Sequence, residues 1–384
     1  MAETRVPMPG FDDFGGRTWL NSAHQGALPL AAAQEARTAV EWKTSPFELT
    51  QERFDDVPKR LRVALGRLVN VPSDDIILAN SASYGLNLIG TAYPWREGDE
   101  VLLMAGDFPS DILPWLLLER RHGVKVIQIK PRGRIIEPDE LEAAITPRTR
   151  MFCTTWVHSL SGFAIDIEAL GQICRNHGVV SVINGSQATG ARPLDLSRTP
   201  IDVFTSVGFK WLCSPYGTGF CWIKPELRER LVPTKAYWLS MLTAADLAKD
   251  LGDVKLPETP RARDYDVFGT ANFFNFVPFA ATIEHLLKIG LDRIRDHDQA
   301  LVSRFVNGLD NRYFTVTSPV EEENRSTLVF FSHKDRNRNE EIYQSLRKGG
   351  VYISFRGGSL RLAPHLYNGD VDIDKALAAL GQLA

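Results

Sequence analysis

What most limits the fold of this chain is a succession of short apolar runs, each closed by small or polar residues and followed by a helical pattern. Ile76-Ile-Leu-Ala79, Val101–Met104, Val124–Ile129, Met151–Val157 and Val179–Ile183 are of this kind. Apolar runs this short, bounded by turn residues, read as strands buried on both faces. With helices between them and short connections, they predict a mostly parallel sheet covered on both sides, an α/β architecture. Helical periodicity over about 30–42, 54–69, 167–177 and 274–289 supplies the covering layers, and 290–384 alternates helix and strand in a smaller α+β pattern. At 384 residues the chain can form one very large domain or two.

Within that frame the stretch from Asp202 to Gly219 carries the most chemistry. A short apolar strand leads into Gly208-Phe-Lys210-Trp, then a Pro/Gly turn cluster, then the apolar run Phe220–Ile223. Burying an ammonium is costly, so a lysine between two aromatics either loses its charge more readily or forms a neutral adduct. A lysine that attacks an aldehyde must do so as the free amine. The other reading is a lysine whose stem packs while its head reaches water.

Three further stretches have two readings each. Ser81-Ala82-Ser83 follows the Ile76 run and opens a helix, where consecutive N–H groups and hydroxyls suit an anion, although serine is equally an ordinary N-cap. Phe108, in Asp107-Phe-Pro-Ser-Asp, ends a strand, where an aromatic is most often core. Near the C-terminus a hairpin-like pair of strands spans 350–368, with Arg361 inside the apolar alternation Leu360-Arg361-Leu362. A guanidinium there needs a partner, either a bidentate carboxylate ligand or a structural salt bridge.

Taken in order from about Leu20 to the last helix, these stretches resemble the class V aminotransferase family. That family includes cysteine desulfurases, isopenicillin N epimerase-like proteins and kynureninases, and depends on pyridoxal 5'-phosphate (PLP). The resemblance implies fold type I, the PLP-dependent transferase fold. A large mixed seven-stranded sheet domain is expected over 18–275, and a small α+β C-terminal domain over 276–384 with the arm 1–17 near it. It implies that Lys210 holds the cofactor as a Schiff base, that Ser81, Ala82 and Ser83 hold its phosphate, and that Phe108 lies over its ring. Gln187 would bond the ring hydroxyl. Arg361 would hold the substrate α-carboxylate, with His24, in the turn after Leu20, and Arg356 as further substrate contacts. Thr270, of the pair Gly269-Thr270, would reach the phosphate of the neighbouring subunit, which implies a homodimer with shared sites.

Three positions depart from the family pattern. Asn184 stands where the pattern has the aspartate that pairs with the pyridine nitrogen. Asparagine can bond that nitrogen but cannot supply the charge that keeps it protonated. Val207 stands where serine is frequent, and Phe209 where histidine or tyrosine is usual. A weaker electron sink favours elimination at Cβ, possibly C–S, or epimerisation at Cα over transamination. The expected function is therefore a PLP-dependent lyase or epimerase acting on an amino acid. An aminotransferase is the alternative, and a catalytically impaired PLP-binding protein the second. The Ser354–Leu360 connection has no cysteine, so a persulfide-forming desulfurase is not expected.

Composition closes other classes. A net charge of −3 gives no reason to expect nucleic acid or an anionic membrane as partner. No apolar run approaches the roughly 18 residues of a membrane span. The four cysteines show no metal-ligand spacing, so no metal is expected, and their use as core fillers suits a cytoplasmic protein.

Overall fold

A computed structural model describes residues 5–242, 244–249, 252 and 254–383. The short apolar runs form one seven-stranded sheet. Its strands are β1 (Ile76–Ala79), β2 (Glu100–Met104), β3 (Lys125–Ile129), β4 (Thr149–Thr155), β5 (Val180–Asn184), β6 (Val203–Val207) and β7 (Gly219–Ile223). Their order is β1-β7-β6-β5-β4-β2-β3. Only β7 runs against its neighbours. The cause is local: the 208–218 connection is too short to hold a crossover helix, so the chain must turn straight back. β3 is the half-exposed edge and turns Lys125 and Gln128 to solvent.

Alternation along the strands sorts the core into two faces. Leu78, Ile183, Phe204 and Phe220 face a layer that includes α1 (Leu30–Thr44) and α2 (Gln51–Val69). Ile77, Val101, Val203 and Cys221 face α3 (Ala82–Ala92) and α4 (Leu113–His122). Leu102 and Phe152 are covered by α5 (Ile167–Asn176). The helix α6 (Phe273–Ile289) lies with α1 and α2: Phe273, Phe276, Phe279 and Ile283 share their cluster. The expected division at 275/276 thus falls inside α6.

The remainder carries a four-stranded antiparallel sheet. Its strands are β8 (Phe314–Val316), β9 (Val329–His333), β10 (Ser354–Arg356) and β11 (Ser359–Leu362). Helices α7 (Leu291–Gly308), α8 (Asn339–Lys348) and α9 (Asp370–Gly381) pack with it around Phe305, Phe331, Leu346, Leu362 and Ile373. The expected hairpin is β10–β11, joined by Gly357-Gly358 with both φ positive (56° and 76°), as a tight two-residue turn requires. Val351-Tyr352 does not join it; it pairs in parallel with Thr18-Trp19. The N-terminal arm continues that link, with Met8 N–H bonded to the Leu366 carbonyl (2.7 Å) and Phe11 and Phe14 against Tyr367. Residues 1–4 and 384 of the expected arm and C-terminal domain lie outside the described residues. Between β7 and α6 the chain contains short helices at Pro225–Arg228, Trp238–Met241 and Ala244–Leu247. Among the described residues no helix is long and apolar enough to cross a membrane.

Candidate active site

The C-terminal ends of β1, β2, β4, β5 and β6 open on one side of the large sheet, where side chains from different loops meet. They enclose a cavity of about 340 Å³, closed over by the N-terminal segment around His24 and by Arg356 and Arg361 of the small sheet. A larger cleft, about 1030 Å³, lies near α5. Its arginines are already engaged: Arg192 with the Arg325 carbonyl, Arg325 with Gln299, and Arg295 with Asp292 and Asp296. The reactive groups are in the smaller cavity.

Lys210 sits in the loop that reverses the chain between β6 and β7. Its backbone is fixed by Gly208 N–H to Thr218 O, Cys213 N–H to Lys210 O, and Gly26 N–H to Phe209 O, at 2.9, 3.0 and 2.8 Å. Two glycines make this crossing possible. A Cβ on Gly26 would lie 2.0 Å from the Lys210 carbonyl oxygen, and one on Gly208 would lie 2.2 Å from Thr218 Oγ1. Among the described residues the Lys210 amine has no hydrogen-bond or ion-pair partner; its neighbours are the rings of Phe108 and Phe209, 5.7 and 5.8 Å away. Burial, then the positive Arg361, brings its pKa down to about 8. Lys210 is half-buried and lines the cavity.

Behind the loop stands a buried pair. Trp211 is fully buried, and its Nε1–H donates to Gln187 Oε1 (3.0 Å), while Gln187 Nε2 donates to Ala23 O (3.2 Å). The Trp211 carbonyl receives Nε2–H of His365 (2.9 Å), whose other ring nitrogen meets Asp298 of α7 (2.7 Å). With a carbonyl on one side and a carboxylate on the other, the ring holds both protons. Burial lowers the His365 pKa, but the charge and hydrogen bond of Asp298 together with Cys213 more than offset it and take it up to about 10.

Ser81 caps α3, accepting from Tyr84 N–H (3.3 Å), as its N-cap reading expects, and with Ala82 and Ser83 it lines the cavity. Phe108 is 42% exposed, unlike a core aromatic, and faces the same space. Asp107 ties the loop after β2 to the end of β4, accepting from Phe108 N–H (2.7 Å) and Thr155 N–H (2.9 Å). Asn184 also lines the cavity; its amide nitrogen donates to both oxygens of Asp111 and its oxygen accepts from Ser186.

Arg361 is 3% exposed, and among the described residues no carboxylate pairs with it. Nη2 donates to Ser354 Oγ (3.2 Å), which is held in turn by Asn21 Oδ1 (2.6 Å), and Nε has no partner. The salt-bridge reading finds no carboxylate among the described residues, and the guanidinium lines the cavity with its charge uncompensated. Burial, helped by Arg356, lowers its pKa to about 10. His24 is lowered by burial and then by Arg356, Arg361 and Lys210, which keeps it neutral. Thr270 is buried and does not line this cavity in its own chain.

Sequence reasoning missed Asp111, Thr155, Ser186 and Tyr216, which also line the cavity. Asp111 opens an apolar helical run, where an acidic residue reads as a first-turn acid. Ser186 lies two residues after Asn184, and only the tertiary crossing of loops reveals either role.

The family model described as Aminotransferase class-V matches residues 45–366. A probable cysteine desulfurase of Xylella fastidiosa strain Temecula1 is 28% identical over 281 residues, covering 70% of this chain and 64% of that protein. The match thus spans just under two thirds of that relative's length. Isopenicillin N epimerase of Streptomyces clavuligerus is 25% identical over 384 residues, covering 95% of this chain and 94% of that protein. Among solved structures, a lysine-to-alanine mutant of C-DES with glycine covalently linked to its PLP cofactor superposes with a TM-score of 0.87 at 19% identity, covering 97% of this chain and 98% of the other. That last likeness is one of fold.

Proposed function

This chain belongs to the class V aminotransferase family, whose cofactor is PLP, and from that premise we propose that it is a lyase or epimerase acting at Cα or Cβ of an amino acid. The observation that carries the reading is an unpartnered amine of pKa about 8 sharing a cavity with an arginine that no carboxylate pairs among the described residues. The residues fit the cofactor. Lys210 would hold it covalently, the first turn of α3 with Ser81, Ala82 and Ser83 would hold its phosphate, Gln187 its ring hydroxyl, and Phe108 a ring face. When bound, PLP supplies an electron sink for a bond broken at Cα.

The chain's own groups do the rest. Arg361 takes the substrate carboxylate, and this fixes which bond at Cα meets the cofactor plane. Lys210, displaced by the substrate amine, is then the neutral base for the Cα proton. His24 and Arg356 contact the substrate, Arg356 as the site for a second anionic group. The preference for epimerisation or elimination over transamination is supported by the epimerase relative, which matches along nearly the whole chain. Elimination with C–S cleavage is supported by the probable cysteine desulfurases. A persulfide-forming desulfurase is not our reading: the β10–β11 turn is Gly357-Gly358, and Cys153, Cys174, Cys213 and Cys221 are all buried.

We further propose a homodimer in which Thr270 serves the neighbouring subunit's phosphate, and a cytoplasmic location in keeping with four buried thiols. The test is a visible spectrum of the protein with PLP, before and after borohydride. The expected result is a band fixed by borohydride in the wild type and absent in Lys210→Ala. Amino acids are then screened for 2-oxo acid or sulfide release and for Cα hydrogen exchange in heavy water. No borohydride-fixable band overturns the proposal.

A further inference from the structure

Asn184 and Asp111 form a unit that no single stretch of sequence contains. Asn184 Nδ2 donates to Asp111 Oδ1 (2.9 Å) and Oδ2 (3.1 Å). Asn184 Oδ1 accepts from Ser186 Oγ (2.6 Å) and Ser186 N–H (3.1 Å). An amide oxygen has two lone pairs, so this one is fully used and offers nothing to a ring N–H.

Asp111 has capacity left. It is 1% exposed and lines the cavity with Lys210. Among the described residues its side-chain donors are the Asn184 amide and, at 3.4 Å, Ser110 Oγ. A carboxylate has about four acceptor sites. The neighbouring Asp107 differs: Phe108 N–H, Thr155 N–H and Thr154 Oγ1–H occupy its oxygens, and it stands outside the cavity lining.

Resting on the PLP reading above, we propose that Asp111 is the carboxylate that answers the cofactor's ring nitrogen. It supplies, from the loop after β2, the charge that the family pattern puts on the strand position of Asn184. Asn184 is then a positioning residue that aims Asp111 through its amide. Burial, with Asp107 nearby, pushes the Asp111 carboxyl well above the usual carboxylate range, which favours its protonated form before cofactor arrives. Asp111 gives that proton to the ring nitrogen: its O–H bond breaks, an N–H bond forms, and an ion pair remains. With the charge restored, Asn184 by itself no longer weighs against transamination.

The experiment loads wild type, Asp111→Asn, and the exchanged pair Asp111→Asn with Asn184→Asp, using PLP labelled with ¹⁵N in the ring. The ring ¹⁵N shift at neutral pH and the PLP dissociation constant are read. We expect a protonated ring in wild type, and a neutral ring with about tenfold weaker PLP binding in Asp111→Asn, the scale of one charged hydrogen bond. The exchanged pair returns a protonated ring. A protonated ring in Asp111→Asn, or a neutral one in wild type, overturns the assignment while leaving the PLP reading intact. A wild type with no borohydride-fixable band overturns both. Should the variants not fold, infrared difference spectra of wild type decide. A carboxylic-acid C=O band must vanish with PLP and persist with an analogue carrying carbon in place of the ring nitrogen; persistence with PLP overturns the proposal.

Discussion

Lys210 is the residue whose chemistry is most exposed to a change of pH. Its pKa is lowered to about 8, so the reactive free amine grows as pH rises through that value, not through the usual lysine range. The rate at which empty protein captures PLP, followed as growth of the visible band, should rise with pH and level off above about 8. A profile still climbing near pH 10 would count against a buried amine. Arg361 acts by shape as much as by charge. Arg361→Lys keeps the charge and loses the fork, and should raise KM for the amino acid about tenfold to a hundredfold while PLP binding is unchanged. Of the residues lining this cavity, Lys210 and Arg361 were conspicuous from their own local chemistry, whereas the α3 turn and Gln187 were singled out through the family resemblance. Asn184 was legible as a departure. Its partner was not, since Asp111 is 73 positions away and the two meet only because β2 and β5 end on the same side of the sheet.

Among elements, the loop between β6 and β7 is held from three sides, by the N-terminal segment, by β7 and by the His365–Asp298 pair of the small sheet region. His365 has its folded pKa raised to about 10. A raised basic group stabilises fully below its unfolded pKa, and that stability is lost as pH rises through the folded value. Thermal melts should therefore drop as pH rises from neutral through about 10. In His365→Phe, which removes one partner of a buried ion pair, stability should fall by about 3–5 kcal/mol with little of that pH dependence left. A melt that falls with pH as steeply in the variant sinks the assignment. The parallel strands and their covering helices were readable from short apolar runs. The parallel partner of Val351-Tyr352 was not, since two-residue strands have no periodicity to read. We place the boundary between the two parts of the chain at Gly290, between α6 and α7 with φ of 95°, because the apolar face of α6 packs with α1 and α2.

At the scale of the whole molecule, large aromatics such as Tyr216, Trp238, Phe268 and Phe274 are left exposed, and Tyr216 borders the cavity. A surface of that kind suits a second copy of the chain. Sedimentation should give a particle of twice the 42.9 kDa chain mass, with these residues protected from solvent labelling. A monomer at micromolar concentration would remove the shared-site role of Thr270. The pairing of Thr18-Trp19 with Val351-Tyr352 also sets a timetable. On the ribosome Thr18 is made roughly 330 residues before its partner, an interval of some tens of seconds at about 5–20 residues per second. In the last part of that wait the strands of the large sheet and Lys210 have been made, while Arg361 has not yet been translated. On the roles proposed for Lys210 and Arg361, the nascent protein gains its cofactor lysine before its substrate arginine.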